Sequence, residues 1–346
     1  MRDEGRTRHF VTASLPYSSS VTGYWSRCFA SALILAASGG AWAQGGAANY
    51  PNKPVRLVVP FAPGGSSDIV ARLIGQKLTE LWGQQFVIDN RPGAGGALGA
   101  ETVAKAAPDG YTIIFANPGP AVHNVVLRKN PPYRLDDFAP IAYVGYTPNI
   151  IVANPKAPFS NLKELVAYAK ANPGKINWAS PGTGSNPHIA LEILKAAAGI
   201  EVVHVPYKGA AQAMTDMAAG QVDAQYASIA SSEPFIKTGR LKVLGVSGAK
   251  RQAVIPYVAT FAEQEVQGAD SMLWFGFLTA AKTPRVRIDK LNNGVNRALQ
   301  MPDLRSRLEQ LGVEIVGGTP EAFGALIRSE AERLRRLVKG GALQID

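Results

Sequence analysis

The sequence predicts an α/β fold in two blocks, each a parallel sheet covered by helices, and three observations lead to that reading. Short β-branched runs alternate with helical patterns along the chain, the pattern of strands joined by crossover helices. With 346 residues, 46% hydrophobic and 18% charged, the chain can bury a core large enough for two domains. The third observation is a strand, a glycine-rich loop and a helix in one design, once in each block. Gly 35 and Pro 24 are abundant but aperiodic, which suits many short strand-to-helix loops and excludes a collagen-like chain.

The elements follow in order. Val55 to Val59 reads as a strand, and Asp68 to Trp82 as a helix with Ile69, Leu73, Ile74, Leu78 and Leu81 on one face. Phe86 to Asp89 and Thr112 to Phe115 are the next strands, with a helix through Ala97 to Ala106 between them. A second block opens near Pro148. In it Asn161 to Ala171 is helical through Leu162, Leu165, Val166 and Ala169, and Pro173-Gly174 ends it. Strand Ile176 to Ala179 leads through PGTGSNPH into a helix carrying Ile189, Ile193 and Leu194. Strand Glu201 to Val205, a helix around Ala210 to Ala219, and strands near Val222 to Tyr226 and Lys242 to Val246 complete the block. Met272 to Thr279 is apolar and aromatic enough to be a central strand returning to the first block. Two helical segments close the chain, the last opening at Thr319-Pro320 with a cap and a first-turn proline.

The N-terminus reads as an export signal. The uncharged run Cys28 to Ala37 follows Arg27 and precedes small residues ending Ala41-Trp42-Ala43, so residues 1–43 are expected to be removed by cleavage after Ala43. A run of about ten apolar residues is half of the roughly 20 a bilayer crossing needs. The expected product is periplasmic and lacks cysteine, since Cys28 is the single one. Disulfides, thiol catalysis and thiolate metal sites are thereby excluded. A net charge of +10 raises the encounter rate of anions. The basic residues are scattered apart from Arg333, Arg335 and Arg336, so the clustered pattern of a nucleic-acid binder is missing and no nucleic-acid partner is expected.

Two loops are candidates for holding a ligand. Pro60-Phe61-Ala62-Pro63-Gly64-Gly65-Ser66-Ser67-Asp68 joins strand to helix in the first block, and Ser180-Pro181-Gly182-Thr183-Gly184-Ser185-Asn186-Pro187-His188 does so in the second. Each would present backbone N–H groups, hydroxyls and the positive end of a helix at the carboxyl edge of a sheet, where open α/β sheets bind ligands. Facing each other, they would hold an anion or both ends of a diacid. The glycines can equally be tight turns, Ser66 and Asn186 helix caps, and Asp68 a first-turn carboxylate stabilised by the helix dipole. His188 can reach the cleft or pack, His204 reads as a core residue, and Lys208 after Tyr207 can supply charge or stay solvated. The run Arg91 to Gly99 fails as a dinucleotide fingerprint, because the third glycine falls at Leu98 and the motif follows the second strand. His123, His188 and His204 lack metal-ligand spacing. No catalytic residue, metal or cofactor is expected.

From about Tyr50 onward the chain resembles the Bug-type periplasmic solute receptors of tripartite tricarboxylate transporters. The blocks that carry this are YPNKPVRLVVPFAPGGSSDIVAR, DNRPGAGGALGAETVAKAAPDGYT, SPGTGSNPHIA, VHVPYKGAAQAMTDMAAGQVD and GGTPEAF, in the family's order over nearly the whole mature chain. The resemblance implies a two-lobed periplasmic binding protein fold, a Venus flytrap with lobes joined by crossing strands: 50–148 plus 271–346 as lobe 1 and 149–270 as lobe 2. It implies a ligand site at Phe61, Ala62, Gly64, Gly65, Ser66, Ser67, Asp68, Ser180, Gly182, Thr183, Gly184, Ser185, His188, Tyr207, Lys208 and Asp223. The chain departs from the family pattern at Asn117-Pro118-Gly119-Pro120 and at Ala227-Ser228, so Asn117 and Ser228 are expected at the variable end of the ligand. The implied function is capture of a small organic acid by a monomeric, non-catalytic receptor and its delivery to a membrane permease of large and small subunits. The alternative is presentation of the bound solute to a two-component sensor kinase.

Overall fold

Strand β1 (Val55–Val59) sends Val55, Leu57 and Val59 to one side of a sheet and Val58 to the other, the period-two alternation of a strand covered on both faces. The computed structural model describes residues 13–14 and 49–339, so the expected leader and its cleavage site lie outside the described residues. Helix α1 (Ser66–Trp82) buries Val70, Ile74 and Leu78 on β1 and ends at Gly83 in the left-handed conformation. Strand β2 (Phe86–Asn90), helix α2 (Ala97–Ala104) and strand β3 (Thr112–Ala116) follow. The chain then makes a π turn at Gly119–His123, continued by one α turn at Asn124–Val126.

Strand β4 (Phe138–Pro148) passes through a single residue, Asn149, into β5 (Ile150–Ala153) of a second sheet. There α3 (Leu162–Ala171), β6 (Asn177–Ser180), α4 (Asn186–Ala198), β7 (Val203–Pro206), α5 (Ala210–Ala219), β8 (Ala224–Ala227), α6 (Ile229–Lys237) and β9 (Lys242–Val246) succeed one another. Strand β10 (Met272–Ala280) returns to the first sheet, followed by α7 (Arg285–Leu299), α8 (Pro302–Gln310), β11 (Glu314–Ile315) and α9 (Pro320–Lys339).

The first sheet runs β11-β4-β10-β3-β1-β2 and the second β7-β6-β8-β5-β9. Neither is wholly parallel, which corrects the sequence expectation. Strand β10 is antiparallel to both β3 and β4, and β5 is antiparallel to β8 and β9. The strands that run against their neighbours are β10 in the first sheet and β5 in the second, and the chain first crosses between the sheets through β4 and β5. The sequence reading passed over them because FAPIAYVGYTP is broken by Pro140, Gly145 and Pro148, residues that ordinarily argue against a strand. The closing segment likewise holds three helices rather than two, because Met301-Pro302 ends α7 and opens α8 with proline in its first turn.

Two cores flank the first sheet: Phe115, Phe275 and Phe277 lie under α1 and α7, and Trp274 and Leu278 pack against α9 through its Phe323. The second sheet has the same arrangement, with Trp178, Tyr226 and Phe261 on one face and Val152, Met214 and Met217 on the other. The crossings are stitched together at one point. Ser247 N–H donates to Asn149 O at 2.8 Å, and Asn149 N–H to Ser271 O at 3.3 Å.

Two groups in the second core are unsatisfied among the described residues: Trp178 Nε1 and the Gln225 amide. Gln225 is fully buried on β8 opposite Val152 and Ala179, and neither its Nε2 nor its Oε1 has a partner. A buried amide without hydrogen bonds costs about 1–3 kcal/mol. Gln225→Met, which keeps the length and removes both polar atoms, is expected to stabilise the fold by about 1–2 kcal/mol in urea titration. A loss of stability instead would mean that buried water pairs the amide.

Candidate functional site

Four helices, α1, α4, α5 and α6, begin around one cavity. Its floor is built by Phe61, Gly65, Ser66 and Ser67 before and at the start of α1, together with Asn117 after β3. From the second sheet come Pro181, Pro187, Ala210 and the β8–α6 junction Tyr226, Ala227, Ser228 and Ser231. The crossings supply Asn149 and Leu273. The free volume is about 40 Å³, room for about three water-sized groups.

The helix ends differ in what they offer. Neither α1, preceded by Gly65, nor α4, preceded by Ser185, nor α5, preceded by Gly209, has a side-chain cap, so first-turn N–H groups remain available to an anion, with none at Pro187 of α4. Helix α6 is closed: Ser228 Oγ accepts from Ser231 N at 3.3 Å and contacts Ser231 Oγ at 3.0 Å.

Of the residues expected from sequence, Phe61, Gly65, Ser66, Ser67, Asn117 and Ser228 line the cavity. Asn117 bridges the two walls of the first lobe, donating from Nδ2 to Ser67 Oγ at 3.1 Å and accepting from Gly119 N–H at 3.0 Å. A second group forms the seam where loops of the two sheets meet. A Cβ on Gly95 would stand 2.1 Å from Thr183 O and 2.8 Å from Ser185 N, and one on Gly209 would stand 2.8 Å from the Ala62 Cβ. Gly64 faces Ala211, Gly182 faces Gly95, and Gly184 faces the Asn124 amide. At Gly95 and Gly182 backbone of one loop lies against backbone of another, and at Gly184 and Gly209 a side chain stands where a Cβ would go.

A third group shapes the loops from behind. Asp68 is 4% exposed and accepts from Gly64 N–H, Arg72 and the Asn90 amide. Burial pushes its pKa up, but Arg72, Gly64 and Asn90 outweigh that and hold the carboxyl below its ordinary range. It braces the loop and does not line the cavity, so the first-turn reading describes it. Ser180 Oγ accepts from Gly182 N–H at 3.1 Å and pairs with His204 Nε2 at 2.6 Å. His188 Nδ1 accepts from Gly184 N–H at 3.2 Å, and its ring stacks on His204 with centroids 4.1 Å apart. Burial pushes both imidazoles down to about 4. Ser185 is fully buried with its Oγ unpartnered.

The structure does not bring the remaining three to the cavity. Tyr207 is half-buried against α5 and Lys208 is exposed. Asp223 is a correction: it precedes β8 at the edge opposite the cavity, where its carboxylate accepts from Asn177 N–H at 2.7 Å. Its side chain ties β6 to β8, a role that strand pairing dictates and sequence position does not reveal. Sequence reasoning missed Asn149, Tyr226, Ser231 and Leu273. The two ends of the crossing strands carry no local motif; the one available signal at Asn149 was the start of a new block after Pro148.

The model of the tripartite tricarboxylate transporter family receptor matches residues 70–343. A UPF0065 protein from the tcbD-tcbE intergenic region of Pseudomonas sp. (strain P51) is 38% identical over 291 residues, 84% of this chain and 86% of that one. Among solved structures, R. palustris Rpa4515 with adipate superposes with a TM-score of 0.80 at 33% identity, covering 84% of this chain and 97% of that one. MatC from Rhodopseudomonas palustris with bound malate superposes with a TM-score of 0.79 at 32% identity, over 84% and 100% of the two chains.

Proposed function

Since this chain belongs to the tripartite tricarboxylate transporter receptors, we propose that it captures a small organic acid between its two lobes and hands it to the membrane permease of that system. The observation that carries this is the pair of helices, α1 and α4, that open at one edge without side-chain caps. Such ends bind carboxylates through their N–H groups and the helix dipole. Charge-assisted hydrogen bonds contribute about 1.5–3 kcal/mol each, so four suffice for micromolar affinity, about 8 kcal/mol. Phe61, Gly65, Ser66, Ser67, Asn117 and Ser228 form the wall of the site. Ala62, Gly64, Gly182, Thr183, Gly184 and Ser185 form the seam that closes over it, with Asp68, Ser180 and His188 holding the loops in shape. The solved relatives with adipate and malate support a carboxylate as the common group. The protein works in the periplasm after cleavage at Ala43, as a monomer and without turnover of its ligand. Hinge motion about Asn149 and Ser271 opens and closes the lobes.

The test is a thermal-shift screen of protein unfolded and refolded to strip bound solute, against mono-, di- and tricarboxylates, with recovery of the acid afterwards. Ligand at 100 times its Kd stabilises by about 2.7 kcal/mol, which raises the melting midpoint by several degrees. One acid giving that shift and recovered unchanged is the expected result. A shift with none, or a converted acid, overturns the proposal.

A further inference from the structure

We infer that the ligand is a short hydroxy-monocarboxylate, with its single carboxylate at the α1 and α4 ends and its hydroxyl donating to Asn149 Oδ1. The inference rests on the carboxylate-receptor reading above and narrows it.

Asn149 carries the argument. It is fully buried, lines the cavity, and its Oδ1 has no partner. The orientation of its amide follows from its neighbours. Asn186 Nδ2 donates to Met272 O at 3.1 Å, and a backbone carbonyl can only accept. Asn186 Oδ1 therefore points the other way, where it needs a donor, and Asn149 Nδ2 supplies it at 2.9 Å. The same Nδ2 donates to Ser271 Oγ at 3.0 Å. That leaves Asn149 Oδ1 as a buried acceptor without a proton to accept. A carboxylate oxygen beside it would add a second acceptor, so a donor belongs there.

The rest of the wall excludes two other kinds of group. Among the described residues no Arg, Lys or His side chain lines the cavity; the α6 end is capped by Ser228, while α5, which opens at Ala210 behind Gly209, has no side-chain cap. A second carboxylate would therefore have no side-chain cation to compensate it. Among the described residues no Asp or Glu lines it either, so an ammonium donor would be unpaired, and a neutral hydroxyl is the donor that fits. Tyr226 directs its own hydroxyl away, to Ala269 O, and with Leu273 leaves an apolar surface for a short alkyl chain. A volume of about 40 Å³ limits that chain to a few carbons.

Titration calorimetry of the refolded protein with lactate, propionate, succinate and citrate tests this. Lactate is expected to bind at least tenfold tighter than propionate and than either polyacid. Asn149→Leu is expected to bring the ratio of lactate to propionate affinity close to one, the preference for the hydroxy acid being lost whatever the variant does to both affinities. If succinate or citrate binds as tightly as lactate, or if Asn149→Leu leaves the lactate-to-propionate ratio unchanged, the inference falls while the receptor reading stands. Binding of no acid at all overturns both. Should the leucine variant fail to fold, the lactate-to-propionate ratio of the unaltered protein decides, and a ratio near one overturns the assignment of Asn149.

Discussion

Gly95→Ala is expected to lower ligand affinity at least 100-fold, a loss of about 2.7 kcal/mol, while both lobes stay folded. Gly95 has φ 62, and an alanine there costs about 1–2 kcal/mol of local strain. Strain alone would destabilise the loop without touching the ligand. The larger effect is steric: the new Cβ would lie 2.1 Å from Thr183 O across the seam, well inside contact distance and against backbone that cannot rotate away. The lobes must part by more than an ångström, and the α1 and α4 ends separate with them. Small-angle scattering is expected to show the unaltered protein contracting on ligand addition and the variant remaining open. Gly209→Ala isolates the steric part. Its φ of 179 is extended backbone, so alanine adds no strain, yet its Cβ would meet the Ala62 Cβ at 2.8 Å. Affinity is expected to drop about tenfold, with the melting midpoint of the free protein unchanged. Normal affinity in both variants would show that the ligand does not need the closed seam.

Acidification is expected to destabilise the protein between about pH 6.5 and pH 4, above the range in which its carboxylates titrate. His188 and His204 are pushed down to about 4, first by burial and then by nearby positive charge: Lys195 and His123 for His188, and His188 itself for His204. In the unfolded chain both return to about 6.5. Between these values the unfolded state binds more protons, so stability rises with pH across the window and is flat above it. Stability is therefore lost as pH falls from 6.5 toward 4. Among the described residues Glu192 is the acid facing this pair, with Oε1 3.8 Å from His188 Nε2, too far to offset two charges stacked 4.1 Å apart. Protonation also requires His188 Nδ1 to stop accepting from Gly184 N–H, which loosens the second loop. Asp68, whose carboxyl is held low, contributes stability that is lost only as pH falls below its ordinary value of 3.8. Melting curves across this range are expected to flatten above pH 4 in the double variant His188→Asn, His204→Gln, where amide oxygens replace the accepting nitrogens. An unchanged slope in that variant would assign the acid sensitivity to other groups.

Much of this was legible in the amino-acid order because it depends on local chemistry. The strand at Val55–Val59 and the helix spacing through Ile74 and Leu78 are patterns of neighbours a few residues apart. So are the two glycine-rich turns into helices, and each turn proved to open a helix without a side-chain cap. The blocks from YPNKPVRLVV to GGTPEAF carried the family, and the matching family model covers residues 70–343. Tertiary structure decided what depends on residues far apart in the chain. Gly182 could be a turn or a contact on sequence grounds, Gly95 and Gly209 carried no structural reading there, and only the meeting of two sheets makes the three a seam. Asp68 and Asp223 are both carboxylates beside candidate motifs, yet one braces a loop and the other ties two strands at the far edge of the sheet. Asn149 has no motif around it at all. Its unpaired oxygen exists because Met272, distant in sequence, orients Asn186, which in turn orients Asn149. A hydrogen bond has a direction, and a buried chain of them passes that direction across the fold to a residue whose own neighbours in sequence say nothing about it.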